Sequence, residues 1–242
     1  MRQSATHRAT WVNVVILACA IVVFGTLMTL GTWQIFRLQW KLDLIESVES
    51  RAFGQPVTAP QREVTSDEHA YLRVSVEGEF QHDLSVRVKA LTELGGGHWI
   101  VTPLVTVNGT VWVNRGFAPS GTDASELTRP GDVQTVVGLL RITEPEGTVL
   151  ERNDPEAGRW VSRDVIALSA SAGIDNSYSY FIDAEHAGPG GTWPRGGMTI
   201  VSFRNNHLSY ALTWFAMAAL LAGGMVYVIR DHFKRPRLYV VE

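Results

Sequence analysis

Two long stretches without a charged side chain constrain this chain more than any other feature. No Asp, Glu, Lys or Arg occurs in residues 9–36 or in residues 205–229. A helix needs about 20 mostly apolar residues to cross the hydrocarbon core of a bilayer, and in lipid its backbone must satisfy its own hydrogen bonds. The sequence therefore predicts a membrane protein with transmembrane helices at residues 11–33 and 207–229.

A cleaved signal peptide is the alternative for the first run. Such peptides have an apolar segment of roughly 7–15 residues followed by a small-residue cleavage site. This run is longer, and the bulky segment Gln34–Trp40 that follows it offers no such site. We therefore expect an uncleaved anchor. For the second run the alternative is a buried helix of a soluble domain, and its length and terminal position favour a membrane span instead.

The flanking charges predict the orientation. The N-terminal flank has Arg2 and Arg8 and no acid, and residues 230–242 carry four basic and two acidic side chains. Residues 34–206 carry 15 Lys+Arg and 22 Asp+Glu. Because basic flanks stay on the cytoplasmic side, both termini, 1–10 and 230–242, are predicted to be cytoplasmic, or in the equivalent matrix compartment. The domain 34–206 then lies across the membrane, which is the periplasmic side in a bacterium, and its acidic balance argues against a nucleic acid partner.

The segment between the helices has the pattern of a β-rich domain. The helical pattern of residues 34–51 predicts that the first helix continues out of the membrane, and Asp164 is placed to cap a short helix at 165–171. The expected fold class is α+β, with one mainly antiparallel sheet and a few helices between the two transmembrane helices. Period-two alternation and the Asn108-Gly109 turn signal predict strands at Tyr71–Phe80, Ser85–Leu91, His98–Val107, Thr110–Phe117, Val133–Ile142, Ser177–Asp183 and Met198–Phe203.

Each apolar run carries a stripe of mostly small residues at steps of four and three. Small residues let membrane helices approach closely. The stripes are predicted to pack on each other, or alternatively against a larger membrane partner. They consist of Ala18, Val22, Gly25, Thr29 and Thr32 on the first helix, and His207, Ala211, Trp214, Ala218 and Ala222 on the second.

His207 is the one His, Asp, Glu, Lys or Arg in residues 205–229. Ionisable groups near a membrane are costly and often functional, and imidazole is a common axial ligand of haem iron. The alternative is a histidine that makes an interfacial hydrogen bond. Tyr210 and Trp214 lie on the same helical face, where they could line a flat cofactor or anchor the end of the helix at the interface.

Two arginines outside the apolar runs are further candidates. Arg115 follows an apolar strand and could bind a carboxylate with both arms of its guanidinium, such as a haem propionate or an acidic side chain of a partner. It could equally be satisfied by an Asp or Glu of its own domain. Arg37, with Lys41 one turn further on, could meet lipid headgroups or the nearby Asp43 and Glu46.

Enzyme signatures are missing from the sequence. It has no nucleophile elbow, no phosphate-binding glycine loop and no His-Glu-x-x-His motif. The single cysteine, Cys19, lies inside the first apolar run, so the outer domain has no thiolate with which to bind a metal. We therefore expect no catalytic residue, and no metal other than a haem iron at His207.

Several motifs resemble the Surfeit locus protein 1 family of cytochrome oxidase assembly factors. They run in order along the chain, and the two that flank the apolar runs are the most specific. The first, Leu30–Lys41, includes Gly31, Trp33 and Gln34. The last, Asn205–Phe215, includes Asn205, Asn206 and His207. Between them lie Thr102-Pro103-Leu104, Val113–Phe117 with Asn114 and Gly116, Gly138 with Arg141, Asn153–Asp164 and Tyr180–Asp183.

The resemblance implies two membrane helices around an outer domain and a role in maturing the haem-bearing subunit of an aa3-type, haem–copper cytochrome c oxidase. It also implies that haem a is bound or handed over at His207. The expected partners are oxidase subunit I, other oxidase assembly factors, haem A synthase and the lipid membrane. The alternative is a haem-independent interaction module that stabilises an assembly intermediate.

The resemblance also suggests a location. The N-terminus lacks an Arg- and Ser-rich transit segment, which favours a bacterial inner membrane protein over a mitochondrial one. Because the two flanking signatures lie at the same predicted depth, we expect the functional surface at the junction between the membrane and the outer domain.

Overall fold

A computed structural model describes residues 3–61, 64–145, 147, 151–186, 189, 191–199, 201 and 203–234. The chain forms two compact units. One, the helix-pair unit, contains the residues up to Ile45 together with those from Phe203 onward, and the other, the β unit, spans Glu46–Ser202.

Two helices are long and apolar enough to cross a membrane, which agrees with the predicted fold class. Helix α1 runs without interruption over Gln3–Ala52, and α4 runs over His207–Lys234. The predicted extension of the first helix beyond the apolar run is therefore confirmed. Its last turns belong to the β unit, where Val48 and Ala52 are buried.

The described residues of the β unit form seven strands and two short α-helices, with 3-10 turns at His82–Leu84 and Ala124–Glu126. The helices are α2, Ser66–His69, and α3, Val165–Ala172, which Asp164 caps as predicted by accepting hydrogen bonds from the backbone N–H groups of Ile166 and Ala167. The strands are β1 Val57–Thr58, β2 Arg73–Phe80, β3 Val86–Thr92, β4 Gly95–Thr106, β5 Gly109–Pro119, β6 Val133–Ile142 and β7 Ser177–Ala184.

Most neighbouring strands are antiparallel, as expected, and two pairs are parallel, β1 with β2 and β5 with β7. The sheet has the order β1-β2-β6-β7-β5-β4-β3. It also joins β2 to β4 through Glu79–Val105 and Phe80–Leu104. This pairing closes five of the strands into a ring, which period-two alternation could not reveal because it reports only which side of a strand is buried.

Side chains from alternate positions of the ring form two hydrophobic clusters. The cluster on one face contains Val74, Val111, Val113, Leu140, Tyr180 and Ile182, all fully buried. The cluster on the other face lies under α3 and includes Trp112, Leu168 and Phe181. The Trp112 indole N–H donates to the Ser169 hydroxyl of α3 at 2.9 Å, so this large side chain is buried without an unpaired donor.

One predicted strand is wrong. The described residues between Met198 and Phe203 form no strand. The segment before them, with Arg195, instead makes a short bridge to Phe117 of β5.

Asp183, at the end of β7, is the centre of a buried polar cluster that closes one end of the ring. Its side chain is 3% exposed and accepts four hydrogen bonds, from Asn114 at 2.7 Å, Arg141 at 2.8 Å, Thr199 at 2.9 Å and Arg163 at 3.0 Å. Burial lowers the pKa of Arg163, but Asp183 and Glu144 outweigh it, so that pKa is raised. A carboxylate held in this way is compensated, whereas a neutral amide would leave Arg141 and Arg163 to share the single charge of Glu144.

We therefore expect Asp183→Asn to destabilise the β unit by about 3–5 kcal/mol, the usual cost of breaking a buried ion pair. Thermal unfolding of the full chain in detergent, followed by tryptophan fluorescence, measures the effect. Asp175→Asn is the matched control, because Asp175 is exposed and follows α3. Equal unfolding temperatures for the two variants would refute the central role of Asp183.

Candidate functional site

Helices α1 and α4 pack against each other in opposite directions. Gly31 of α1 meets Phe215 of α4, and Gln34, further along α1, meets His207 at the start of α4. Lys41 of α1 lies on the ring of Phe203, which comes just before α4. The first two pairs join the two sequence signatures, because Gly31 and Gln34 belong to the first and His207 and Phe215 to the second. The expectation that these two segments come together is thus confirmed.

Gly31 of α1 lies close to Phe215 of α4. A Cβ atom at this position would lie 2.6 Å from the Phe215 ring, a distance that real Cβ contacts do not reach. A glycine therefore makes room for an aromatic ring here. Above and below it, Ala211 and Ala218 of α4 are each 1% exposed, which places the small-residue side of α4 in the interface.

The hydrogen bond between Gln34 and His207 fixes the chemistry of the site. Gln34 presents its amide oxygen to the Nδ1 atom of His207 at 2.7 Å. An amide oxygen only accepts, so this contact is a hydrogen bond when Nδ1 carries a proton. In the neutral ring the other nitrogen, Nε2, then keeps its lone pair, and among the described residues no hydrogen bond reaches it. A lone pair at Nε2, with Nδ1–H held by a second residue, is the arrangement found in metal-binding histidines.

The two asparagines before His207 form the start of α4. The Asn205 side chain accepts from the His207 backbone N–H at 3.3 Å, and the Asn206 carbonyl accepts from the Tyr210 N–H at 3.2 Å. The first bond satisfies a donor that every helix leaves unpaired in its first turn, and the second is the first backbone bond of the helix itself. The motif therefore holds His207 as the first residue of the helix.

The remaining candidates of this unit have different surroundings. Trp214 is half-buried in the helix interface, whereas Tyr210 and Trp33 are more than half exposed. Arg37 lies on the Trp40 ring at 3.8 Å, in a cation–π contact. Arg37 and Lys41 form no ion pair with Asp43 or Glu46 in the part of the chain that is described, so that alternative is wrong.

The predicted stripe on α1 faces the wrong way. Its five residues are exposed, with Val22 67% exposed, and a Cβ atom on Gly25 would meet nothing within 4 Å. The side of α1 in the helix interface consists of residues two positions further along the chain than those of the predicted stripe. By contrast, the predicted stripe on α4 is confirmed. The α1 residues that do face α4 include Phe24, Leu27, Gly31, Gln34 and Leu38.

Arg115 lies in the β unit and makes no ion pair among the described residues, so the expected internal Asp or Glu partner is wrong. Its guanidinium lies 3.3 Å from His82 Nδ1, donates to the Thr128 carbonyl and hydroxyl, and lies 5.2 Å from the Phe80 ring. Burial, and then the nearby charge of Arg129, lower the pKa of Arg115 to about 10.

The residues on either side of Arg115, Asn114 and Gly116, make contacts that hold the strands and loops of the β unit together. Asn114 donates to Asp183 and accepts from the Gly116 N–H at 3.2 Å. Gly116 has φ +130°, and a Cβ atom there would lie 2.2 Å from the Arg195 carbonyl. The glycine thus allows the loop around Arg195 to bond to the strand.

Sequence reasoning missed one large feature of the β unit. A cavity of about 530 Å³ lies beside the Asp183 cluster. Asp183, Arg141 and Arg163 come from β7, β6 and a loop, so no spacing in the sequence relates them. The cavity is lined by Tyr71, Trp99, Arg141, Arg163, Asp183 and Arg195, among others.

Comparison with known proteins agrees with the motifs at the helix pair. The model of the SURF1 family matches residues 21–219. The chain is 34% identical to Surfeit locus protein 1 of Homo sapiens over 228 residues, covering 85% of this chain and 73% of the relative. The chain belongs to the SURF1 family.

For two further relatives, the aligned region covers a similar or larger share of both chains. The chain is 33% identical to Surfeit locus protein 1 of Mus musculus, covering 82% of this chain and 71% of the relative. It is 31% identical to a SURF1-like protein of Monosiga brevicollis, covering 97% and 94% of the two chains. The SURF1 match includes Gly31, Gln34 and His207, so the whole site lies inside the family region.

Gly31→Leu should separate the helix pair, because the new side chain overlaps the Phe215 ring, and overpacking of this kind costs about 1–3 kcal/mol. Spin labels at the exposed positions 22 and 220, in a Cys19→Ser background, report the distance between the helices. We expect a longer or broader distance distribution in Gly31→Leu.

Gly25→Leu is the matched control, because the same substitution meets no neighbour there. It should leave the distance unchanged. Indistinguishable distributions for the two leucine variants would contradict the packing described for Gly31.

Proposed function

We propose that this protein assists the assembly of a haem–copper cytochrome c oxidase by holding haem a, for a time, at the helix pair. The SURF1 family consists of cytochrome c oxidase assembly factors, and the chain belongs to it. An assembly factor of this kind performs no chemical step of its own. The observation that carries the haem proposal is the Gln34–His207 hydrogen bond, which leaves Nε2 of His207 available.

The residues of the site fit a haem. His207 would supply the axial nitrogen, and Gln34 would keep the ring in the required tautomer. Tyr210 and Trp214, three and seven residues along the same helix, would flank the macrocycle. Arg37 would meet a propionate. The iron supplies ligand affinity when haem is bound, and the chain supplies position and orientation.

Several earlier expectations belong to this proposal without a contact to support them. Contact between Arg115 and a propionate stays a prediction, because Arg115 belongs to the β unit. Oxidase subunit I is the recipient that a haem-holding assembly factor requires, and haem A synthase is the corresponding donor. The membrane in question is the bacterial inner membrane, with the β unit on the periplasmic side.

Haem content of the purified protein tests the ligand role. Cells that make haem a would express the wild type, His207→Ala, Gln34→Leu and His69→Ala, the last as a control because His69 lies on α2 of the β unit. We expect His207→Ala to lose bound haem. Gln34→Leu should lower haem affinity about 10–100-fold, the usual effect of removing a residue that orients a metal ligand. His69→Ala should match the wild type.

Unchanged haem occupancy and an unchanged absorption spectrum in His207→Ala would exclude this histidine as the ligand. An equal loss in His207→Ala and His69→Ala would point to a general folding defect instead. Oxidase activity of cells that contain each variant, in place of the wild type, extends the test to assembly.

A haem-independent interaction module is the second candidate function, and one observation favours it. The α1 face formed by Ala18, Val22, Gly25, Thr29 and Thr32 is exposed, although small residues of this kind suit close helix packing. Co-purification with oxidase subunit I separates the two functions. Association that persists in His207→Ala, together with normal oxidase activity, would favour the interaction module over haem handling.

A further inference from the structure

Three arginines of the β unit surround one small cavity. The cavity has a volume of about 220 Å³ and lies at the sheet edge near β3. Arg87 of β3, Arg115 of β5 and Arg129 of the following loop line it, together with His82, Asp83, Leu127 and other residues.

Among the described residues, the immediate contacts of Arg115 include no counter-charge. Thr128 accepts from it through a carbonyl and a hydroxyl, both uncharged. His82 is uncharged as well. Its Nε2 lies 3.0 Å from the Pro130 carbonyl and must donate, so its Nδ1, which faces the guanidinium of Arg115, accepts. A half-buried arginine is thus held by neutral acceptors alone.

The other two arginines, Arg87 and Arg129, add further positive charge to the cavity. Arg87 donates to the Thr122 carbonyl at 2.9 Å and forms no ion pair among the described residues. Arg129 lies 3.5 Å from Asp83, whose side chain is 97% exposed. Three guanidinium groups therefore share one loosely held carboxylate.

A shortage of acidic residues does not explain this arrangement. Residues 46–202 contain 12 Lys+Arg and 21 Asp+Glu. Three other half-buried arginines of the unit have close carboxylate partners: Arg73 with Glu185 at 2.6 Å, Arg141 with Asp183 at 2.8 Å, and Arg163 with Glu144 at 2.6 Å and with Asp183. Since burying an uncompensated charge is costly, the exception at Arg115 indicates a site that an external anion completes.

A second cavity continues from the same arginines. It has a volume of about 480 Å³ and shares Arg115 and Arg129 with the first. Part of its lining is apolar, including Phe80, Pro130, Val136 and Pro194. A ligand could therefore place an anionic group between the guanidinium groups and a hydrocarbon portion against these side chains.

We propose that Arg87, Arg115 and Arg129 form a carboxylate-binding site, with the carboxylate carried on a short hydrocarbon stem. Guanidinium groups bind planar carboxylates through paired, charge-assisted hydrogen bonds. Inorganic phosphate would use the same donors but has no stem for the apolar part of the larger cavity. The carboxylate could come from an acidic side chain of a protein partner or from a small organic acid. The site does not depend on haem binding at His207.

Calorimetric titration of the full chain in detergent tests the proposal at constant ionic strength. Three probes are compared: glutarate, a glycine-flanked peptide with a single Glu, and inorganic phosphate. The same peptide with Gln in place of Glu is the negative control. We expect glutarate and the Glu peptide to bind and the Gln peptide not to bind. The tighter of the two carboxylate probes identifies the source, a small acid or a protein side chain.

Substitutions of the arginines test whether these side chains bind the carboxylate. Arg115→Gln and Arg129→Gln should each weaken carboxylate binding about tenfold, the effect of losing one charge-assisted hydrogen bond. Arg129 is half exposed, so its variant serves even if Arg115→Gln folds poorly. Arg159→Gln is the control, because exposed Arg159 is paired with Asp154. Absence of carboxylate binding, equal binding in Arg129→Gln, or tighter binding of phosphate would each overturn the proposal.

Discussion

The hydrogen bond between Gln34 and His207 determines how the two membrane helices face each other. Residues 9–36 and 205–229 contain no Asp, Glu, Lys or Arg, so little else in them is polar enough to fix a rotation. Among the described residues this is the one side-chain hydrogen bond that joins α1 to α4. It places Gly31 opposite Phe215, and it makes Nδ1 the protonated nitrogen of His207. Packing and ligand chemistry thus depend on the same contact.

Much of the fold was predictable because local patterns decide it. Absence of charge over more than 20 residues defined both helices, alternation defined the strands of the β unit, and Asp164 capped α3 as its position suggested. The closure of five strands was not predictable, since it depends on Glu79 and Phe80 meeting β4, a contact distant in sequence. The segment from Met198 alternates like a strand, but its described residues join no sheet.

The candidate site was predictable where one residue stands out from its surroundings, as His207 does. The face of α1 that meets α4 was not predictable from residue size, because the large side chains of Phe24 and Leu27 share that face with Gly31. Thr29 and Thr32, on the predicted face, donate their hydroxyls to carbonyls of their own helix, so they need no partner helix to satisfy them.

The anion-binding arginines were predictable only in part. Arg115 was singled out from the sequence as an anion ligand or as one half of an internal ion pair. Arg87 and Arg129 are distant from it in the chain, and only the three-dimensional arrangement brings the three side chains to one cavity. The sequence therefore indicated the chemistry of one residue but not the site that it shares.

Nitrogen-15 NMR of the protein labelled in histidine tests the central claim most directly. Spectra of the wild type and His207→Ala identify the His207 signals, and their shifts report which ring nitrogen carries the proton. At a pH where the ring is neutral, the account predicts the Nδ1–H form in the wild type and a mixture of both forms in Gln34→Leu. A wild-type ring protonated at Nε2, or a tautomer unaffected by the loss of Gln34, would contradict it.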